Sequence, residues 1–247
     1  MDINMANRQC CDLDIRDYKT KAPFLFADFC NTTTAGFSGD SVYAMKKGSK
    51  AIAFHNPIEG KMGVEFQVHP FKVYALLSDG VIETTAIIPV KKNIECSEAG
   101  KITIPAGETV VVGSVFVYAE DDFGGTPIVG TFATNVFSAT TITDIAIKTT
   151  YTVAYLTSNT TGVKKVSFNN KKTPKDYRIT QKTLDKDDNG NLVPVLITAY
   201  KATIKRNLEM SFSSSGDSAS IKLDFDVLED KDGNVLDIVE IVEPVAP

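Results

Sequence analysis

Tryptophan is absent from the 247 residues, and histidine occurs only twice, at His55 and His69. So few groups that titrate near neutrality leave little for acid–base catalysis. Neither histidine sits at metal-ligand spacing, and His69 precedes a proline at a helix start. The sequence therefore assigns no catalytic residue and no cofactor. Four cysteines, Cys10, Cys11, Cys30 and Cys96, lack the paired Cys-x-x-Cys spacing of a zinc site. They are expected to be reduced, partly buried thiols. No segment approaches the ~20 apolar residues that span a bilayer. Residues 1–9 lack the apolar core of a signal peptide. A chain made in the cytoplasm, with no membrane partner, is predicted. Basic charge is also in short supply: the net charge is -5 and the pI about 5.2. That excludes a surface built to grip nucleic acid, though not one that nucleic acid must pass without sticking. No internal repeat is visible.

What is present is period-two alternation of apolar and polar residues, the pattern of half-buried strands. Hydrophobic residues make up 43% and charged residues 23%, ordinary for a folded chain. The one helical signal is His69-Pro70-Phe71-Lys72-Val73-Tyr74-Ala75-Leu76-Leu77-Ser78, with Pro70 suited to a first turn and Gly80 to a left-handed stop. Residues 1–20 read as an extended arm, part of it an edge strand around Cys11-Asp12-Leu13-Asp14-Ile15-Arg16-Asp17. Strands shorten near residue 93, where Val110-Val111-Val112-Gly113-Ser114-Val115-Phe116-Val117-Tyr118 and Ile142-Thr143-Asp144-Ile145-Ala146-Ile147 read as two of the set. Short strands at roughly ten-residue spacing suggest a small immunoglobulin-like sandwich. Longer strands resume after the polar stretch Thr157-Ser158-Asn159-Thr160-Thr161-Gly162, and Leu208-Glu209-Met210-Ser211-Phe212 reads as one of the later ones. The expected organisation is a discontinuous β domain, 1–92 with 163–247, interrupted by a sandwich at 93–162.

Four segments carry possible chemistry or contacts. Asp185-Lys186-Asp187-Asp188-Asn189-Gly190 resembles the opening of a calcium loop through Asp185, Asp187 and Asn189, but Leu196 stands where the closing glutamate belongs. The competing reading is a hairpin tip, because Asn-Gly between strand runs is a strong hairpin signal. Lys46-Lys47-Gly48-Ser49-Lys50 is a basic loop, expected to meet acidic residues on a neighbouring copy. The arm, with Asp14 and Arg16, is the other expected subunit interface, adding a strand to an adjacent copy. Ser213-Ser214-Ser215-Gly216 lacks Gly-x-Ser-x-Gly and reads as a connecting loop.

Several stretches, in this order, resemble phage major tail tube proteins. They are Asp14-Ile15-Arg16-Asp17-Tyr18-Lys19-Thr20-Lys21-Ala22-Pro23, Ser38-Gly39-Asp40-Ser41-Val42-Tyr43-Ala44, Val64-Glu65-Phe66-Gln67-Val68 and Leu76-Leu77-Ser78-Asp79-Gly80. Ala199-Tyr200-Lys201-Ala202, Phe212-Ser213-Ser214-Ser215-Gly216-Asp217 and Leu228-Glu229-Asp230-Lys231-Asp232-Gly233-Asn234 follow in the second outer piece. The resemblance implies a mainly β fold: a tail-tube-type sandwich or barrel with one short helix, plus an inserted Ig-like sandwich. It implies a structural virion subunit, not an enzyme, stacking as hexameric rings around a channel that carries genome DNA without binding it specifically. Its implied partners are its own copies and other tail proteins: sheath if the tail contracts, tape measure, baseplate and tail terminator. Its implied place is the virion tail, assembled in host cytoplasm. Two alternatives stand beside it. One is another virion β-protein, a head-to-tail connector or a decoration protein. The other is a module binding surface carbohydrate or protein through aromatics such as Tyr118, Phe123 and Phe132.

Overall fold

The computed structural model describes residues 4–210, 214–216 and 218–241; expectations resting on Ser211, Phe212, Ser213 and Asp217 fall outside them. The chain divides into two compact units, residues 1–81 with 167–247, and residues 82–166. The division lies before residue 93 because Ala86–Glu95 is one uninterrupted strand that belongs wholly to the second unit.

In the first unit the strands are β1 (Met5–Ala6), β2 (Asp12–Asp17), β3 (Pro23–Ala27), β4 (Thr32–Ser38), β5 (Ser41–Lys46), β6 (Ser49–His55) and β7 (Glu59–Phe66). A single turn of helix, α1 (Val73–Leu76), follows. After the second unit come β14 (Asp176–Asp187), β15 (Leu192–Ile204), β16 (Ile221–Leu228) and β17 (Leu236–Glu240). Nine of these strands form one antiparallel sheet in the order β3-β2-β14-β15-β16-β7-β4, with β1 beside β14 and β17 beside β15. β15 is shared: its first half pairs with β17 (Val195↔Glu240) and its second half with β16 (Ile204↔Phe225). Inward residues of the strands on both halves belong to one core. Leu13 and Ile15 of β2 lie in the same cluster as Phe66 of β7 and Leu223 and Phe225 of β16.

The terminal strands of the path, β3 and β4, do not pair, so the sheet is an open sandwich and not a closed barrel. A side chain links β4 to an interior strand instead: Gln181 Nε2 of β14 donates to the Thr34 carbonyl of β4 at 3.2 Å. β2 is an interior strand, flanked by β14 and β3, and not the edge of an arm. Its alternation buries Leu13 and Ile15 against the core and leaves Asp12, Asp14 and Arg16 on the other face.

The helix is shorter than its signal, but its stop is as expected. Gly80 has φ +76°, and its N–H donates to the Ala75 carbonyl at 3.0 Å.

The second unit holds β8 (Ala86–Glu95), β9 (Lys101–Thr103), β10 (Phe116–Ala119), β11 (Gly130–Ala133), β12 (Val136–Ala139) and β13 (Thr150–Asn159). They make two three-stranded antiparallel sheets, β10-β13-β8 and β11-β12-β9. Cys96, Ile102, Val117, Phe137, Tyr151 and Val153 are among the residues of their shared core. One expected strand is shortened and another is replaced by a turn. Positive φ at Gly113 breaks 110–118, leaving strand only from Phe116. Ile142–Asp144 is a 3-10 turn, with only Ile145 of that stretch reaching the core. In the first unit, 208–210 are irregular.

Candidate functional site

β5 and β6 form a two-stranded ribbon separate from the nine-stranded sheet. It exists because its turn is well made. Lys47 and Gly48 both take positive φ (50° and 83°), the mirror-image two-residue turn that matches strand twist. An extra residue on β6 between the pairs Ala44↔Ile52 and Met45↔Lys50 twists it further. One face carries Val42, Ala44, Ile52 and Phe54, joined by the pairs Val42↔Phe54 and Ala44↔Ile52. The opposite face carries Tyr43, Met45 and Lys50, with the Lys50 ammonium 3.9 Å from the Tyr43 ring centre. Both faces are open: Val42, Met45, Ile52 and Phe54 are each about 60% exposed (59, 60, 58 and 59%). Lys46, Lys47 and Lys50 ring the exposed tip.

Asp14 and Arg16 lie on the solvent face of β2 and pair with each other. Arg16 donates to Asp14 from Nη2 at 2.7 Å and from Nε at 2.9 Å, and that partner raises its pKa. Across the ladder, Asp14 faces Phe26 on one side and Thr180 on the other, and Thr180 faces Thr198 and then Asp237. Arg178 stacks over Tyr200, with its guanidinium carbon 4.6 Å from the ring centre, and Tyr200 donates to Asp237. This face is a solvated lattice of paired charges with exposed Phe26 at one end.

Among the described residues, the outer sides of β3, β4 and β17 lack a strand partner, as do those of the short β1 and of both ribbon strands, β5 and β6.

Asp185, Asp187 and Asn189 converge on a hairpin tip. Asp187 Oδ1 accepts the Asn191 backbone N–H at 2.7 Å and Oδ2 accepts the Asn191 amide at 2.9 Å; these bonds hold its carboxyl below the usual range. Asp185 accepts from the Asn7 amide at 2.7 Å. The same turn recurs at Asp230-Lys231-Asp232-Gly233-Asn234, where the Asp230 carboxylate accepts the N–H of Asp232 and of Asn234, both at 2.9 Å. The shared pattern Asp-x-x-Gly-Asn explains the calcium-like spacing as turn chemistry. Among the described residues, no group of three or more His, Cys, Asp or Glu is placed to hold a metal ion.

Each histidine is paired with a hydroxyl. His55 Nδ1 lies 2.9 Å from Ser41 Oγ, and His69 Nε2 lies 2.9 Å from Tyr74 Oη.

In the second unit, Phe116, Tyr118, Phe123 and Leu156 line a shallow hollow of about 660 Å³ with Lys91 at its rim. The Lys91 ammonium is 5.3 Å from the Phe123 ring centre. Phe132 is not part of this surface; it packs against the unit's core.

The ribbon's exposed apolar faces are a candidate contact surface that charge-based reading of the loop missed. The signal was present as Val42, Tyr43, Met45, Ile52 and Phe54, apolar on both strand parities.

A family model for the YomU/Tube protein family matches residues 10–241, and the chain belongs to that family. No curated protein matches it.

Proposed function

We propose that the chain is a structural subunit of a phage tail tube, assembled from copies of itself. The β5–β6 ribbon carries this reading. A lone two-stranded ribbon is marginal in water, and this one exposes large apolar side chains on both faces. Such a surface calls for a cover. A second copy is the cover favoured by membership of a family named for a tube and by the free edges of β3, β4 and β17. A heterologous contact that closes gives a ring, and one that also repeats along an axis gives a tube.

The finer features follow from the resemblance to tail tube proteins. Six copies would make a ring, and stacked rings would enclose a channel for the genome. The basic tip of Lys46, Lys47 and Lys50 would meet acidic residues on the next ring, and the Asp14–Arg16 face would serve as a second contact. A net charge of -5 suits a wall that DNA passes, because each Lys or Arg contact with phosphate adds affinity. The unit 82–166 would be the Ig-like insertion, projecting outward. Sheath, tape measure, baseplate and terminator proteins would be its partners in a virion assembled in host cytoplasm, with no enzymatic role for this chain.

Negative-stain electron microscopy of the purified protein over a concentration series tests the reading. Hollow fibres or stacked rings are expected. Rings that never stack would make it a connector, and a monomer at every concentration would overturn self-assembly.

One observation favours a second reading. The aromatic hollow beside Lys91 suits a surface-binding module. A chain that stays monomeric and binds a glycan array through Tyr118 and Phe123 would support it.

A further inference from the structure

We propose that Asn189 is a spontaneous deamidation site, and that the isoaspartate it yields loosens the seat of β1. Of the chain's asparagines, only Asn189 precedes a glycine. Deamidation begins when the backbone nitrogen of the next residue attacks the asparagine Cγ, and a side chain on that residue stands in the way. Gly190 has none. The place its Cβ would take is open, with Lys186 Cε the nearest non-neighbouring atom at 3.7 Å. Asn189 and Gly190 are both exposed at the β14–β15 tip, where water reaches them. No hydrogen bond of the Asn189 side chain is found among the described residues. Asn191 is held differently: its amide donates to Asp187 Oδ2 at 2.9 Å, and Leu192 follows it.

The chain builds the same turn twice, and the second copy shows which product fits. Asp187-Asp188-Asn189-Gly190-Asn191 matches Asp230-Lys231-Asp232-Gly233-Asn234 position for position. In each, the first aspartate N–H donates to the last carbonyl at 3.0 Å, and the glycine N–H donates to the first carbonyl, at 3.0 and 3.3 Å. The first carboxylate accepts the last N–H, at 2.7 and 2.9 Å. Asp232 stands where Asn189 stands, so an aspartate at 189 suits the turn. Isoaspartate does not, because its main chain runs through Cβ and Cγ and adds a methylene inside the hydrogen-bonded loop. β1 rests on this end of β14, with Met5 opposite Asp187 and Ala6 opposite Lys186. The Asn4 amide also donates to Asp188 Oδ2 at 3.1 Å. Shifting Asp187 and Asp188 therefore weakens the hold on residues 4–7.

The chemistry needs only water. The Gly190 N–H bond to the Asp187 carbonyl opens, and the nitrogen loses its proton and attacks Asn189 Cγ. A C–N bond closes the five-membered succinimide, and ammonia leaves. Water then opens the ring. Breaking the Cγ–N bond gives aspartate; breaking the bond between the nitrogen and the main-chain carbonyl carbon gives isoaspartate. One amide and one water become one carboxylate and one ammonium, with no change of oxidation state.

Ageing the full-length protein in mildly alkaline buffer tests this, since attack requires the deprotonated nitrogen. Trypsin cuts after Lys186 and Lys201, placing Asn189 and Asn191 on peptide 187–201. That peptide is expected to show the amide-to-acid mass gain before any other, localised to Asn189 by fragmentation and split into aspartyl and isoaspartyl forms. Asn189→Gln should lose the gain, because its longer side chain does not close a five-membered ring. Hydrogen exchange at residues 4–7 should be faster in the isoaspartyl protein, separated chromatographically, and unchanged in Asn189→Asp. The site is overturned by a peptide 187–201 that stays unmodified, by a gain that falls on Asn191, or by one that persists in Asn189→Gln. The link to β1 is overturned by equal exchange in the isoaspartyl protein and Asn189→Asp.

Discussion

Gln181 of β14 donates from Nε2 to the Thr34 carbonyl of β4 at 3.2 Å, across 147 positions of sequence. Gln181 is 1% exposed, so this bond sits inside the fold, between an interior strand and the end strand β4. Nothing of the backbone ladder replaces it there, because β4 is the last strand of its path. Gln181→Leu removes the donor while roughly keeping the volume, and leaves the Thr34 carbonyl short of a partner. A buried hydrogen bond broken on one side costs about 1–3 kcal/mol. The expected result is a lower urea midpoint at unchanged slope, with the strand signature in circular dichroism retained.

Gly80 and Gly233 separate conformational strain from crowding. Both have positive φ, +76° and +86°. A Cβ at Gly80 would stand 3.2 Å from Tyr177 Oη, whereas at Gly233 its nearest neighbour is a flexible Glu229 oxygen at 3.9 Å. Each alanine variant should lose about 1–2 kcal/mol for the left-handed conformation. Gly80→Ala should lose more than Gly233→Ala, because Tyr177 is fully buried and cannot swing away. Paired denaturation curves check the difference.

Asp187 and Asp230 should set part of the acid limb of stability. Both carboxyls are held below their ordinary value, Asp187 chiefly by the Asn191 side-chain amide and Asp230 chiefly by the Asn234 backbone N–H. A folded pKa below the unfolded one contributes stability that is present above the unfolded value of about 3.9 and is lost as pH falls through the folded value. Carboxyl carbon NMR should give both residues midpoints below those of free aspartate. The double variant Asp187→Asn with Asp230→Asn should flatten the stability–pH slope below about pH 4.

Much of this fold was legible because alternation reports burial directly. Leu13 and Ile15 among aspartates, or Ile221, Leu223 and Phe225 among polar residues, can sit only one way against a core. The hairpin at Asn189-Gly190 was equally plain, although only Gly190 takes positive φ and the loop is longer than the two-residue turn that Asn-Gly favours. Pairing was harder to read. Whether β2 is interior or an edge depends on β14, more than 150 residues away, and alternation looks the same in both places. The boundary near residue 93 was hidden for a related reason: Ala86–Glu95 alternates on either side of the expected cut. The candidate assembly surface was half visible. Its lysines stand out as charge, but apolar residues on both parities look like a buried strand until the structure leaves the ribbon without a sheet to enter.

The ribbon makes two separable demands on assembly, and salt tells them apart. Ile52 and Phe54 are solvent-exposed in the single chain, so Ile52→Asp and Phe54→Asp should each change monomer stability by no more than about 0.5 kcal/mol. If another copy covers these side chains, either variant buries a charge at the interface and should abolish tubes at any ionic strength. The tip behaves differently. Lys46, Lys47 and Lys50 are exposed point charges, and such charges act chiefly on encounter rate, within a screening length of about 10 Å at 0.1 M salt. Reversing all three to glutamate should slow tube growth most at low salt and little at 1 M, while the tubes that do form keep their diameter. Light scattering of growth at several salt concentrations, with microscopy of the end points, reads both effects. Equal slowing at every salt concentration would remove the tip from the encounter step. Full-length tubes from Phe54→Asp would remove the ribbon from the assembled contact.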